Sequence, residues 1–198
     1  MGMYNRYQEF VLDVTSENSK DLNCLIQNLK DVGSDQSDDK IPHLLTAALG
    51  LCGEAAELMK LIEFNVDYDR EKAIDEAGDV LWYIVQGCYA LNFSLFNVIE
   101  SAKRHIIDSE SDTFISELQI KCGEFADIVK KVTLHGKSFT SKRDDLQNKL
   151  IDITACLLTE LDFTDISIEN VMQMNIEKLS ARHSAGFNKD YKSDSQDG

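Results

Sequence analysis

The sequence predicts an all-α protein. Two observations carry that expectation: one proline and ten glycines in 198 residues, and long stretches where apolar side chains return every three or four positions. Residues 4–31 read as one or two helices, with Tyr7, Phe10, Val11 and Val14 on an early stripe and Leu22, Leu25, Ile26 and Leu29 on a later one. GSDQSDDK at 33–40 reads as a polar loop closed by Pro42, and 43–63 as the next helix. FNVDYDR interrupts the pattern, a helix follows over 71–91, and a third runs from about Leu95 to Ile107. The acidic, serine-rich SESD at 109–112 marks a joint. Beyond it 114–135, 144–161 and 167–183 give three more helices, and the tail at 188–198 has the composition of a disordered segment.

Charge and composition limit the function. With 35 acidic against 20 basic residues the net charge is −15, which disfavours nucleic-acid phosphates and anionic membranes as partners. A small anionic substrate stays open if a metal ion supplies the positive field. No apolar run reaches the length needed to span a bilayer, and MGMYNRYQEF lacks the apolar core of a signal peptide. The five cysteines form no C-x-x-C, and most have apolar helical neighbours. They read as small core residues of a reducing compartment, so a cytoplasmic location is expected.

Two acidic couplets carry the chemistry. Glu54 and Glu57 stand in LCGEAAELMK, and Glu76 and Asp79 stand in DEAGDVLWY. Each couplet is spaced i, i+3, which puts both carboxylates on one side of a helix. Glu54 shares its stripe with Leu51, Leu58 and Leu61, and Glu76 shares its own with Ala73, Val80 and Tyr83. Ionised carboxylates gathered at a buried surface cost several kcal/mol each without a counter-charge. Neither stripe holds enough lysine or arginine to supply one. A hard divalent cation with oxygen ligands, Mg²⁺ above all, answers the problem.

The last three helices read as a second copy of the middle three. Cys52-Gly53-Glu54 aligns with Cys122-Gly123-Glu124, and Glu57 with Asp127. Asp79 over Asp152 then sets Ser94, Asn97 and Val98 over Ser167, Asn170 and Val171 without a gap. Where the first copy has Glu76, the second has Lys149. A lysine among Glu124, Asp127 and Asp152 neutralises that cluster from within, so the second copy is expected to keep its helices and lose its ion.

The order E-x-x-E, eighteen residues, then E-x-x-D, set in GEAAEL and DEAGDVLWY, resembles the MazG-like all-α nucleoside triphosphate pyrophosphohydrolases. That superfamily includes the dimeric dUTPases and the dCTP pyrophosphatases. YQEF near the start and NIEKLSARHSAGF at 175–187, similar to the family's closing N-x-x-K-L-x-x-R and glycine–phenylalanine step, extend the likeness over most of the chain. The first copy has SAKRH where a closing helix would stand. One site built from both copies is therefore implied, like the dimeric dUTPases in which an active repeat is paired with a degenerate one.

The resemblance implies a helical bundle of two tandem repeats packed as an internal pseudo-dimer. Residues 1–110 would hold the N-terminal helices and the active repeat, and 111–187 a degenerate repeat that supplies the closing helix. It implies hydrolysis of a nucleoside triphosphate to monophosphate and pyrophosphate with Mg²⁺, or Mn²⁺ as a substitute. Glu54, Glu57, Glu76 and Asp79 would be the metal-binding and catalytic residues. Lys60, Tyr83, Asn175, Lys178 and Arg182 would meet the substrate. A bacterial or phage origin is what the likeness suggests, and further dimerisation is left open. A nucleotide-binding protein without turnover on the same scaffold is the alternative. The four histidines have no E-x-x-H spacing, which argues against a di-iron bundle, and no G-x-x-x-x-G-K-[ST] loop exists.

Overall fold

The computed structural model describes residues 2–34, 40–63, 69–105 and 114–182, and these form nine α-helices. The N-terminal stretch divides into α1 (Met3–Val14), α2 (Glu17–Lys20) and α3 (Leu22–Ser34). The middle of the chain gives α4 (Lys40–Glu63), α5 (Arg70–Ala90) and α6 (Leu95–Lys103). The last third gives α7 (Phe114–Thr133), α8 (Phe139–Phe163) and α9 (Ile168–Arg182). Pro42 does not stop the chain before α4. It sits in the first turn, where a missing N–H costs nothing. The residues at 35–39, the FNVDY segment at 64–68, the joint at 109–112, the end of the third helix at 106–107 and everything from 183 onward lie outside the described residues.

Two long helical hairpins make the core. α4 pairs with α5 and α7 with α8, and α4 against α7 joins the pairs. Leu44, Leu51 and Leu58 of α4, Val80 and Ile84 of α5, Leu118 and Phe125 of α7, and Leu150 and Leu157 of α8 are almost wholly excluded from solvent. Each large side chain buried this way contributes about 1.5–3 kcal/mol. At the contact between α4 and α7, the Cys52 thiol lies 3.6 Å from the Cys122 carbonyl oxygen, so the two Cys-Gly-Glu segments meet. The short helices are exchanged: α6 packs on α8, and α9 packs on α5.

The ends of α5 and α8 repeat one another bond for bond. Asn92 and Asp165 take the left-handed backbone conformation, at φ 52° and 54°, which short polar residues tolerate best. Phe93 N–H donates to the Cys88 carbonyl and Ile166 N–H to that of Leu161. Ser94 Oγ accepts from Asn97 N–H at 3.2 Å to start α6, and Ser167 Oγ accepts from Asn170 N–H at 3.1 Å to start α9. The two turns are also held crosswise. Arg143 of α8 donates to the Leu91 carbonyl at 2.9 Å, and Arg70 of α5 donates to the Thr164 carbonyl at 2.9 Å.

The N-terminal stripe departs from the expectation of an ordinary core face. Tyr7, Phe10, Val11 and Val14 share one side of α1, yet no residue of that helix is buried. α3 is anchored instead, through Asn28, whose amide donates to the Thr133 carbonyl at 2.6 Å. Among the cysteines, Cys88, Cys122 and Cys156 are core residues as expected, whereas Cys52 is half-buried and Cys24 exposed. Among the described residues, no helix is long and apolar enough to cross a membrane.

Candidate metal centre

The face that each carboxylate presents follows from helical geometry. Three residues turn a helix through about 300°, so a residue three positions on falls about 60° short of the same face. Glu54 lies at the edge of the buried stripe formed by Leu51, Ala55 and Leu58, and it is half-buried. Glu57 is turned one further step from that stripe and is exposed. On α5, Asp69 caps the first turn by accepting from the Glu71 and Lys72 N–H groups, which starts the helix. Ala73, Ala77, Val80, Leu81 and Ile84 then pack into the core and leave Glu76 and Asp79 half-buried beside it.

Three of the four expected ligands converge. One carboxylate oxygen each from Glu54, Glu76 and Asp79 lies within 4.8 Å of the others. Glu57 stands outside this triad, although its charge still reaches it. Glu54 has its pKa pushed up to about 7, chiefly by burial and then by Asp79, Glu57 and Glu76. Glu76 is also raised to about 7, again by burial first and then by Glu57, Asp79 and Asp75. The Lys178 ammonium opposes both rises. Among the described residues neither Glu54 nor Glu76 accepts a hydrogen bond or an ion pair. Acids held this way want a cation.

A counter-charge does reach Asp79, and it comes from a helix that neither stripe reveals. Lys178 of α9 lies 2.8 and 2.7 Å from the two Asp79 carboxylate oxygens and 2.6 Å from Asp75 Oδ1. Its side chain is only 12% exposed. Asn175, one turn earlier, donates to Asp79 Oδ1 at 3.3 Å. Gly78 permits this approach, because a Cβ there would sit 2.9 Å from the Asn175 amide nitrogen. Lys178 thus supplies from α9 a counter-charge that pairs with Asp79 and reaches Glu54 and Glu76 by its charge alone. Asp75 was missed, although its i, i+4 spacing to Asp79 puts both on the side of α5 that faces α9.

The chain matches no family model, no curated protein and no solved structure.

The remaining expected site residues take distinct places. The Tyr83 ring packs against Gly50, where a Cβ would be 2.0 Å from a ring carbon. Burial, then the charges of Glu54 and Asp79, raise its phenol pKa, so the hydroxyl keeps its proton close to the carboxylates. Trp82 meets Tyr83 edge to face at 4.8 Å. Lys60 is exposed on α4 beyond Glu57, and Arg182 is half-buried at the end of α9.

The second cluster is closed from within. Lys149 lies 2.8 Å from Glu124 and 3.0 Å from Asp152, so it fills the centre that Glu76 helps to line in the first half. Asp127 turns to Lys130 and Lys131, which pull its pKa down to about 2. The donor set around Glu54 fits a hard divalent cation, with three oxygen ligands and two unpaired acids. The set around Lys149 does not.

Proposed function

We propose that this chain is a divalent-cation-dependent nucleoside triphosphate pyrophosphohydrolase of the MazG-like all-α type. One observation carries the reading: three carboxylates from two antiparallel core helices converge within 4.8 Å, two of them without an ion-pair or hydrogen-bond partner among the described residues. Glu54, Glu76 and Asp79 would hold Mg²⁺, with Mn²⁺ as a substitute and Glu57 at the rim. Bound there, the ion supplies Lewis acidity, a template for the polyphosphate and an activated water.

The chain's own residues do the positioning. Lys178 and Asn175 bring N–H donors to the edge of the triad, where phosphate oxygens would lie. Lys60 and Arg182 stand further out, for the distal phosphates. The Tyr83 hydroxyl is a protonated donor for the nucleoside. Such neutralising and orienting groups supply most of what phosphoryl transfer asks of a protein. The water oxygen joins the α-phosphorus, the α–β anhydride bond breaks, and nucleoside monophosphate and pyrophosphate leave.

An internal pseudo-dimer belongs to the same reading. Its support is the exchange of α6 and α9 between the hairpins, the paired turns at Asn92 and Asp165, and the crossed arginines. A nucleotide-binding protein without turnover is favoured by a different observation, the tie of Lys178 to Asp79. The test is ³¹P NMR of ribo- and deoxynucleoside triphosphates incubated with Mg²⁺ and either the wild type or Glu54→Ala. Monophosphate and pyrophosphate from the wild type alone are expected. Orthophosphate would move the cleavage position, and no product with Mg²⁺ or Mn²⁺ would favour the binding protein.

A further inference from the structure

We infer that Lys178 is a resident counter-ion that a divalent cation must displace, so that loading the site releases this ammonium toward the anionic substrate. The inference rests on the metal-binding reading of the triad.

Its first support is occupancy. The Lys178 ammonium touches both oxygens of Asp79 and one of Asp75, and with the Asn175 amide on Oδ1 it occupies most of the lone pairs that Asp79 could offer a cation. A divalent cation brought onto the same carboxylate repels the ammonium, the more so as water is excluded. Its second support is the way α9 is held. Only Ile168 and Val171, in its first turn, are buried, and Met172 and Met174 pack in part against the core. Beyond them, Asn175 and Lys178 bond the helix to α5. Its third support is the contrast with the second half. Lys149 shares a helix with Asp152, three residues from it, so that pair is local to α8. Lys178 arrives from a separate helix anchored at the opposite end. Its pair with Asp79 depends on how α9 lies against α5, whereas the pair of Lys149 with Asp152 does not.

The consequence is an order of events. Without a divalent cation Lys178 quiets Asp79, and with one it becomes an unpaired ammonium beside the site, drawn to a polyphosphate. An anionic ligand and the cation then favour the same rearrangement, and each should tighten the other.

Two measurements test this. In the first, the wild-type chain is pulsed with acetic anhydride and the modification of each lysine is read by mass spectrometry, with and without Mg²⁺. Lys178 should react at least several-fold faster with Mg²⁺, while Lys149 stays unchanged, and inorganic triphosphate should protect Lys178 again. In the second, Mn²⁺ binding is followed by electron paramagnetic resonance for the wild type and Lys178→Met. The variant should bind about tenfold more tightly, which is ~1.4 kcal/mol. Saturable Mn²⁺ binding with no change in Lys178 reactivity would overturn the displacement and leave the metal site standing. Absence of Mn²⁺ binding in both proteins would overturn the metal reading itself. Binding by Lys178→Met alone would mean that the ion does not displace the lysine in the wild type, and would overturn the displacement while leaving the carboxylates as metal ligands.

Discussion

Replacing Glu76 by glutamine should make the cation-free protein more stable, although it removes a residue of the proposed site. The carboxyl titrates at about 7 in the folded chain against an ordinary value of 4.5. Its ionised form is thus disfavoured by folding, and the sign follows. Below about pH 4.5 the group is protonated in both states and contributes nothing. As pH rises from there to 7 the unfolded chain ionises first, and folding becomes progressively more costly; above 7 the penalty is constant. Full conversion would give ~3 kcal/mol. The side chain is only part-buried and Glu76 titrates together with Glu54, which cuts the figure to about 1 kcal/mol. For a chain of this length that is a rise in Tm of about 2–4 °C. Thermal melts of wild type and Glu76→Gln in chelator would be compared at pH 8 and pH 5. The variant should melt higher at pH 8, with the gap closing at pH 5, and Mg²⁺ should raise the wild type more than the variant. A variant that melts at or below the wild type at pH 8 would refute the reasoning.

Other consequences are checked in the same way. Lys149→Glu would put a third carboxylate between Glu124 and Asp152; it should lower the Tm in chelator and be rescued by Mn²⁺, and a melt unaffected by either would contradict the account of that cluster. Arg143→Ala should cost about 1 kcal/mol in urea denaturation, because the part-buried Leu91 carbonyl keeps the Gln147 amide at 3.3 Å, and Arg70→Ala at the exposed counterpart should cost less. Gly78→Ala should change stability by less than about 1 kcal/mol, since alanine favours the helix while its methyl crowds Asn175, and yet lower pyrophosphate release by pushing α9 off α5.

The sequence carried the helices well because their signal is local. The stripes of α4, α5, α7 and α8 recur every three or four residues, and the observed helices follow them, extended at α8 to begin at Phe139. The likeness of Ser94–Val98 to Ser167–Val171 was legible too, since a serine cap and its partner N–H three residues on are fixed by short-range geometry. What the sequence leaves out has one cause. Glu57 shares a couplet with Glu54, and spacing does not say how far round the helix the buried stripe extends. Lys178 forms an ion pair with Asp75 and Asp79 that depends on how α9 crosses α5, about a hundred residues away in the chain. The exposed stripe of α1 has the same origin, for periodicity shows that a face is apolar and not what covers it.

The most direct test is anomalous X-ray scattering from crystals of the wild-type chain grown with Mn²⁺. The account predicts a peak bonded to carboxylate oxygens of Glu54, Glu76 and Asp79, with the Lys178 ammonium withdrawn from Asp79 and no peak beside Lys149. A peak at Glu124 and Asp152 instead, or none at the triad at saturating Mn²⁺, would contradict it.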